Sequence, residues 1–262
     1  MGSINNVERF RQRMRDGEIC VGCGVGFNDP LVSEILAEAG NDFIWIEMEH
    51  SHLDLSSVMG HIMAVRGTQT APLVRVPWND AVLIKPVLDM APAGIVVPMV
   101  RTGEEARQAV AACRYPPKGI RGFGPTRNMY GMASMAEYLA VADEQIMVFV
   151  QIEHIDAVKN LDAILATEGL DGIILGRNDL SGSMGKLGQH DDPELLEAID
   201  TVFAKARQTD LFIGVSIGYN ADTVRQWRGK GVHFFDLVGD GGHLSEGATA
   251  VAKAVHGLDE GI

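Results

Sequence analysis

Residues 30–50 read Pro30-Leu-Val-Ser-Glu-Ile-Leu-Ala-Glu-Ala-Gly40-Asn-Asp-Phe43-Ile-Trp-Ile46-Glu47-Met-Glu49-His50. From Leu31 the apolar residues recur at helical spacing, and Gly40 is the residue type that closes a helix. Phe43 to Ile46 is then an unbroken apolar run, the pattern of a strand covered on both faces. A polar cluster follows at once: E-M-E-H-S-H, residues 47–52, with two carboxylates and two imidazoles. Helix, buried strand and polar tip in that order make one unit of a parallel sheet, because parallel neighbours can be joined only by a crossover.

The same order recurs along the chain. Short apolar runs lie at Cys20 to Phe27, Phe43 to Ile46, Pro72 to Val76, Gly94 to Val100, Ile146 to Ile152, Gly172 to Leu175, Leu211 to Ser216 and Val232 to Val238. Helical periodicity fills Pro30 to Gly40, Ala81 to Met90, Glu104 to Cys113, Asp156 to Glu168, Pro193 to Gln208 and Ala221 to Lys230. Eight such strands predict an α/β fold closed into a (β/α)8 TIM barrel, a single domain over residues 1–262. A doubly wound nucleotide fold would need G-x-G-x-x-G after its first strand, and Gly22-Cys23-Gly24-Val25-Gly26 lacks that spacing.

Composition narrows the partners. A net charge of -13 and a pI near 5.0 repel nucleic acid and anionic membranes, leaving small molecules as ligands. No run reaches the roughly 18 apolar residues of a membrane span. The Arg-rich start, V-E-R-F-R-Q-R-M-R-D-G, is interrupted by acids and reads as a short amphipathic helix rather than a targeting signal. Three cysteines fit a reducing compartment, here the cytoplasm, and Cys20 and Cys23 read as structural thiols.

In a barrel, reactive groups belong at the C-terminal strand ends. Glu47, Glu49 and His50 follow the second strand, Arg75 ends the third, Glu153 and His154 end the fifth, and Asp179 follows the sixth in L-G-R-N-D-L-S. Glu153 and Asp179, converging from different strands, suit a hard divalent ion, which takes one or two protein carboxylates together with water and substrate oxygens. The competing reading makes each acid a helix cap or the partner of an Arg. All seven Lys fall in helices or loops, which disfavours a Schiff base and leaves metal-stabilised enolate chemistry. The long connection from Ala112 to Glu144, with Arg114, Arg121 and Arg127, reads as a lid or an anion-contacting loop. The late segment L-V-G-D-G-G-H reads as a simple turn or, less simply, as an anion nest.

Several ordered stretches carry a family resemblance: I-E-M-E-H, P-L-V-R-V-P-W-N-D, I-K-P-V-L-D, G-I-V-V-P-M-V, A-C-R-Y-P-P-K-G-I-R-G, V-Q-I-E and G-L-D-G-I-I-L-G-R-N-D-L-S. From about Cys20 to the C-terminal helix the chain resembles the class II pyruvate aldolases of the 2,4-dihydroxyhept-2-ene-1,7-dioate (4-hydroxy-2-oxoheptanedioate) aldolase type. The resemblance implies a metal-dependent barrel that reversibly cleaves 4-hydroxy-2-oxo acids to pyruvate and an aldehyde. It implies a divalent cofactor, Mg²⁺, Mn²⁺ or Co²⁺, on Glu153 and Asp179. Arg75 is implied on the substrate keto oxygen, His50 as general base, and Asp89 as the carboxylate that orients it, supplied by a neighbouring subunit. The backbone around Gly176, Arg177, Asn178 and Asp179 is expected at the substrate carboxylate, and Arg121, from the Arg-bearing loop, is read as a further substrate contact. Assembly as a homo-oligomer, a hexamer or trimer that exchanges C-terminal helices, is implied as well.

The chain also departs from the family pattern. Glu47 and Met48 stand where the family has Asp and Gly, Ser51 and His52 follow His50, and Arg177 replaces a Pro. Three rivals stay open: an oxaloacetate decarboxylase or citrate-forming enzyme using the same enolate, a zinc hydrolase using His50 and His52, and a non-catalytic 2-oxo acid binder.

Overall fold

The computed structural model describes residues 4–259. Eight parallel strands, β1 (Cys20–Val25), β2 (Phe43–Glu47), β3 (Ala71–Arg75), β4 (Gly94–Val97), β5 (Met147–Ile152), β6 (Gly172–Leu175), β7 (Phe212–Ile217) and β8 (Phe234–Gly239), pair in sequence order and close on themselves. Around them run α1 (Val7–Arg15), α2 (Leu31–Glu38), α3 (Leu55–Ala64), α4 (Ala81–Asp89), α5 (Gly103–Cys113), α6 (Met135–Val141), α7 (Ile155–Lys159), α8 (Leu161–Leu165), α9 (Arg177–Ser183), α10 (Pro193–Ala206), α11 (Ala221–Gly229) and α12 (Asp240–Asp259). The predicted barrel is the observed one, with strand boundaries moved by a few residues. The predicted helix over residues 156–168 is two short helices, α7 and α8, that meet at Asn160.

Strand alternation divides the apolar residues between two layers. On β2, Ile44 and Ile46 face outward into the helix layer, while Phe43 and Trp45 face the barrel interior and Glu47 continues their line. Inside, Phe43, Phe149 and Phe234 fill the end of the barrel away from the strand tips, and α1 closes it with Val7, Phe10 and Met14. Glycine makes this possible at two inward positions. A Cβ on Gly22 would overlap the Phe43 ring, and one on Gly214 the Phe234 ring.

The helices start where short polar side chains satisfy free backbone amides. Asp80 Oδ1 accepts from Val82 N at 2.7 Å to open α4, and Thr102 with Glu105 forms a full capping box on α5. Among the described residues no helix is long and apolar enough to cross a membrane.

Two loop expectations are corrected. The long connection from Ala112 to Glu144 follows α5, which runs back from the strand tips, so it lies at the closed end of the barrel. Its arginines are used there on backbone carbonyls: Arg114 on Gly169 O (3.0 Å), Arg121 on Leu88 O (3.2 Å) and Arg127 on Met90 O (3.0 Å), all three side chains buried. It is a structural brace, not a lid. The segment L-V-G-D-G-G-H is neither turn nor anion nest, because β8 passes directly into α12. Asp240 Oδ2 accepts from the amides of Gly26 (2.9 Å) and Phe27 (2.8 Å), tying that junction to the end of β1. Beyond it α12 projects, with Leu244, Val251 and Val255 exposed.

Candidate active site

At the open end of the barrel the inward-facing residues turn polar. Glu47 at the tip of β2 organises them. Its Oε1 accepts from the backbone N–H groups of Glu49 (2.6 Å) and His50 (2.8 Å), which fixes the loop after the strand. Its Oε2 accepts from Trp45 Nε1 (3.0 Å) and Arg75 Nε (2.6 Å), and Arg75 Nη2 stands in ion-pair contact with it at 2.6 Å. Arg75, register partner of Glu47 across β2 and β3, also lies over the Trp45 ring at 5.4 Å. Its Nη1 faces Gln151 Oε1 (3.3 Å) and Glu49 Oε2 (3.2 Å). These partners fix the guanidinium plane at the mouth, where its donors can meet a ligand oxygen. The Glu47 substitution therefore orients Arg75 instead of filling the site.

Glu153, just past β5, is the buried acid of the mouth. Gln151 Nε2 donates to its Oε2 (2.7 Å) and Met99 N to its Oε1 (2.7 Å). Burial, helped by the nearby Glu49 and Asp179 charges, pushes its carboxyl up to about 7, against the pull of the Met99 amide and Arg75. Gly176 at the end of β6 gives the Glu153 carboxylate its space, since a Cβ there would overlap it. Burial also raises the Glu49 carboxyl, and its buried Oε2 has no hydrogen-bond donor, only the Arg75 charge beside it.

Glu49, Glu153 and Asp179 thus act on one another around a single arginine, and that uncompensated negative charge suits a divalent cation. Among the described residues no three His, Cys, Asp or Glu side chains form a closed ligand set. This donor arrangement fits an ion held by two carboxylates and completed by water and substrate, as Mg²⁺ is.

The remaining predicted residues divide. His50 stands at the mouth with a ring 64% exposed and Nε2 3.8 Å from Glu49 Oε2. His52 is exposed beside it, and the zinc reading gains no third ligand here. Asp89 ends α4, at the opposite end of the barrel from His50 within one chain. Its partner there is Arg121 (3.3 Å); burial raises its carboxyl, and the Arg121 hydrogen bond opposes the rise. Within one chain Arg121 therefore lies away from the mouth, beside Asp89. Its guanidinium stacks at 4.5 Å over Tyr115 and is held by Asp89 and Leu88 at the closed end. Arg177 sits over Trp227 at 5.9 Å with Nε buried and unbonded, so its side chain is turned to α11. Asn178 pairs through Oδ1 with His190 Nε2 (2.8 Å). Asp179 is exposed in the first turn of α9.

Sequence reasoning missed Gln151, which bridges Arg75 and Glu153, and the pair Ser216 and Asp236. Ser216 Oγ donates to Asp236 Oδ2 at 2.8 Å. The signal for Asp236 was present: a charge interrupts the apolar run Phe234-Phe235-Asp236-Leu237-Val238, and a buried charge needs a reason.

Comparison with known proteins agrees with this geometry. Residues 21–247 match the model of the HpcH/HpaI aldolase/citrate lyase family. A 5-keto-4-deoxy-D-glucarate aldolase of Escherichia coli O139:H28 is 38% identical over 219 residues, covering 83% of this chain and 85% of that protein. Among solved structures, an HpcH/HpaI aldolase/citrate lyase family protein from Burkholderia cenocepacia J2315 superposes with a TM-score of 0.88 at 30% identity, covering 95% of this chain and 99% of that one. The citrate synthase SbnG does so with a TM-score of 0.84 at 28% identity, covering 95% and 98%. The chain belongs to the HpcH/HpaI aldolase/citrate lyase family and is a carbon–carbon lyase.

Proposed function

We propose that this lyase is a divalent-metal-dependent aldolase that reversibly cleaves 4-hydroxy-2-oxo acids to pyruvate, or a related 2-oxo acid, and an aldehyde. The observation that carries the reading is Arg75, locked by Glu47 at 2.6 Å beside the buried Glu153. Glu153 and Asp179 would hold the ion, which when bound supplies Lewis-acid stabilisation of an enolate oxygen. Similarity to a 5-keto-4-deoxy-D-glucarate aldolase favours a sugar-acid-derived substrate.

The chain's own residues account for the rest. His50, whose ring is exposed at the mouth, removes the proton of the 4-hydroxyl. As the bond between C3 and C4 breaks, charge gathers on the C2 oxygen, and the Arg75 guanidinium donates to it. The backbone at Gly176, Arg177, Asn178 and Asp179 takes the substrate carboxylate. Asp89 of a neighbouring subunit would orient His50, which makes the working unit a homo-oligomer, with the exposed apolar residues of α12 covered in the assembly.

Pyruvate release is to be measured from a panel of 4-hydroxy-2-oxo acids with Mg²⁺, Mn²⁺ or Co²⁺, alongside oxaloacetate decarboxylation. Metal-stimulated cleavage that disappears in Glu153→Gln is the expected result. Turnover of oxaloacetate alone would favour the rival enolate chemistry, which the likeness to a citrate synthase supports. Cleavage unaffected by chelator would sink the metal-dependent reading.

A further inference from the structure

The reaction above leaves one proton unassigned: the enolate released by bond cleavage must gain a proton at C3 to become pyruvate. Ser216 and Asp236 are placed for that step. Ser216 is the one exposed residue of β7, whose other members are all buried, so its hydroxyl faces the open mouth. Behind it Asp236 is only 8% exposed, and its Oδ2 is the acceptor of the Ser216 hydrogen bond at 2.8 Å. Oδ1 is buried and makes no hydrogen bond. Gly24 lies beside it, with a Cβ there falling 3.7 Å from Oδ1 in ordinary contact.

The charged and titratable groups facing Asp236 are Arg75 on β3, Glu47 on β2 and Cys23 on β1, whose thiol also feels Asp240 at the start of α12. Burial pushes the Asp236 carboxyl up to about 7, while Ser216, Arg75 and the Gly24 amide pull the other way and Glu47 adds to the rise. Near neutral pH both protonation states are therefore populated. When the carboxyl is ionised, Ser216 donates inward. When it carries a proton on Oδ2, that proton donates to Ser216 Oγ, and the serine O–H is free to point into the mouth.

Building on the aldolase reading, we propose that Ser216 and Asp236 form a proton relay that protonates C3 of the enolate and, in the condensation direction, removes a proton from the pyruvate methyl group. The Ser216 Oγ–H bond breaks as the C3–H bond forms, and the Asp236 Oδ2 proton passes to Oγ in the same step. The enolate electron pair becomes the new C–H bond, Asp236 is left as a carboxylate, and solvent reprotonates it through Ser216 once the mouth empties.

Loss of the pyruvate methyl signal in D2O, followed by proton NMR with Mg²⁺ present, tests the relay without a second substrate. Ser216→Ala and Asp236→Asn are expected to slow exchange about 10²-fold or more, the usual contribution of a general acid or base. Pyruvate affinity should change little. Ser216→Thr, which restores the hydroxyl, is expected to recover most of the rate. During cleavage of a hydroxy-oxo acid, capture of the enolate by an added oxidant such as ferricyanide should rise in Ser216→Ala, a partition that a purely structural role would not move. Wild-type exchange rates in a folded Ser216→Ala protein would overturn the relay and leave the aldolase intact. A wild-type enzyme that neither exchanges the methyl nor releases pyruvate would overturn both.

Discussion

The two ends of the barrel are built from the same inward-facing strand positions and serve opposite purposes. At the closed end the interior holds Phe10, Phe43, Phe149 and Phe234, packed tilted and edge-on with ring centroids 5.2 to 5.8 Å apart and sealed by α1. At the open end the same strands present Glu47, Arg75, Gln151, Glu153 and Asp236, several of them buried and two held near pH 7. One end lowers the free energy of the fold by removing apolar area from water. The other raises it by burying charge, and it is tolerated because that charge has work to do.

Mutations can break this contrast at either end. Phe149→Ala should cost about 3–5 kcal/mol, the range for a buried aromatic, with little change in the kcat of the protein that remains folded. Urea unfolding measures the first and steady-state kinetics the second. Arg75→Lys, which keeps a charge beside Glu47 but loses the planar fork of donors, should invert the pattern: a fall of about 10²–10³-fold in kcat, typical of losing an oxyanion donor, with a smaller change in urea midpoint. A mutant that loses both equally would mean that the two ends are not separable. Gly214→Ala should cost about 1–3 kcal/mol by pressing on the Phe234 ring, without changing the KM for metal.

A graded effect, spread over several pH units, is expected from pH. The carboxyls of Asp236 and Glu153 have ordinary values of 3.8 and 4.5 and stand at about 7 in the fold. Between those limits the folded state binds more protons than the unfolded one, so stability declines as pH rises from about 4 to 7 and levels off above. The slope is at most about 0.7 kcal/mol per half pH unit for one carboxyl. Urea midpoints of the metal-free protein across that range should show it, and Asp236→Asn should flatten part of it. A midpoint rising over the same window would show that these acids are not buried in neutral form.

The barrel was legible in the sequence because its strands are short, almost wholly apolar and separated by helices; Gly172–Leu175 was read to the residue. The acids at strand tips were legible for the same reason, as charges ending apolar runs. Gln151 was not, because a neutral amide inside Val-Phe-Val-Gln-Ile carries no charge to flag its inward direction. Where Arg121 sits within its own chain was not legible, because composition marks a loop as basic without saying whether it follows a strand or a helix, and only a strand leads to that chain's mouth. The role of Glu47 was invisible for a related reason: its reach to Arg75 depends on the β2–β3 register, which pairs the two residues directly.

The α1 plug has a consequence for the order of events in turnover. With Val7, Phe10 and Met14 filling one end, the barrel interior is a chamber with a single door. On the proposed cleavage, a 2-oxo acid held on Arg75 would lie deeper than the aldehyde half at the rim. The aldehyde would then depart first and the 2-oxo acid last. Pyruvate should then compete with the substrate for the free enzyme, whereas the aldehyde should not.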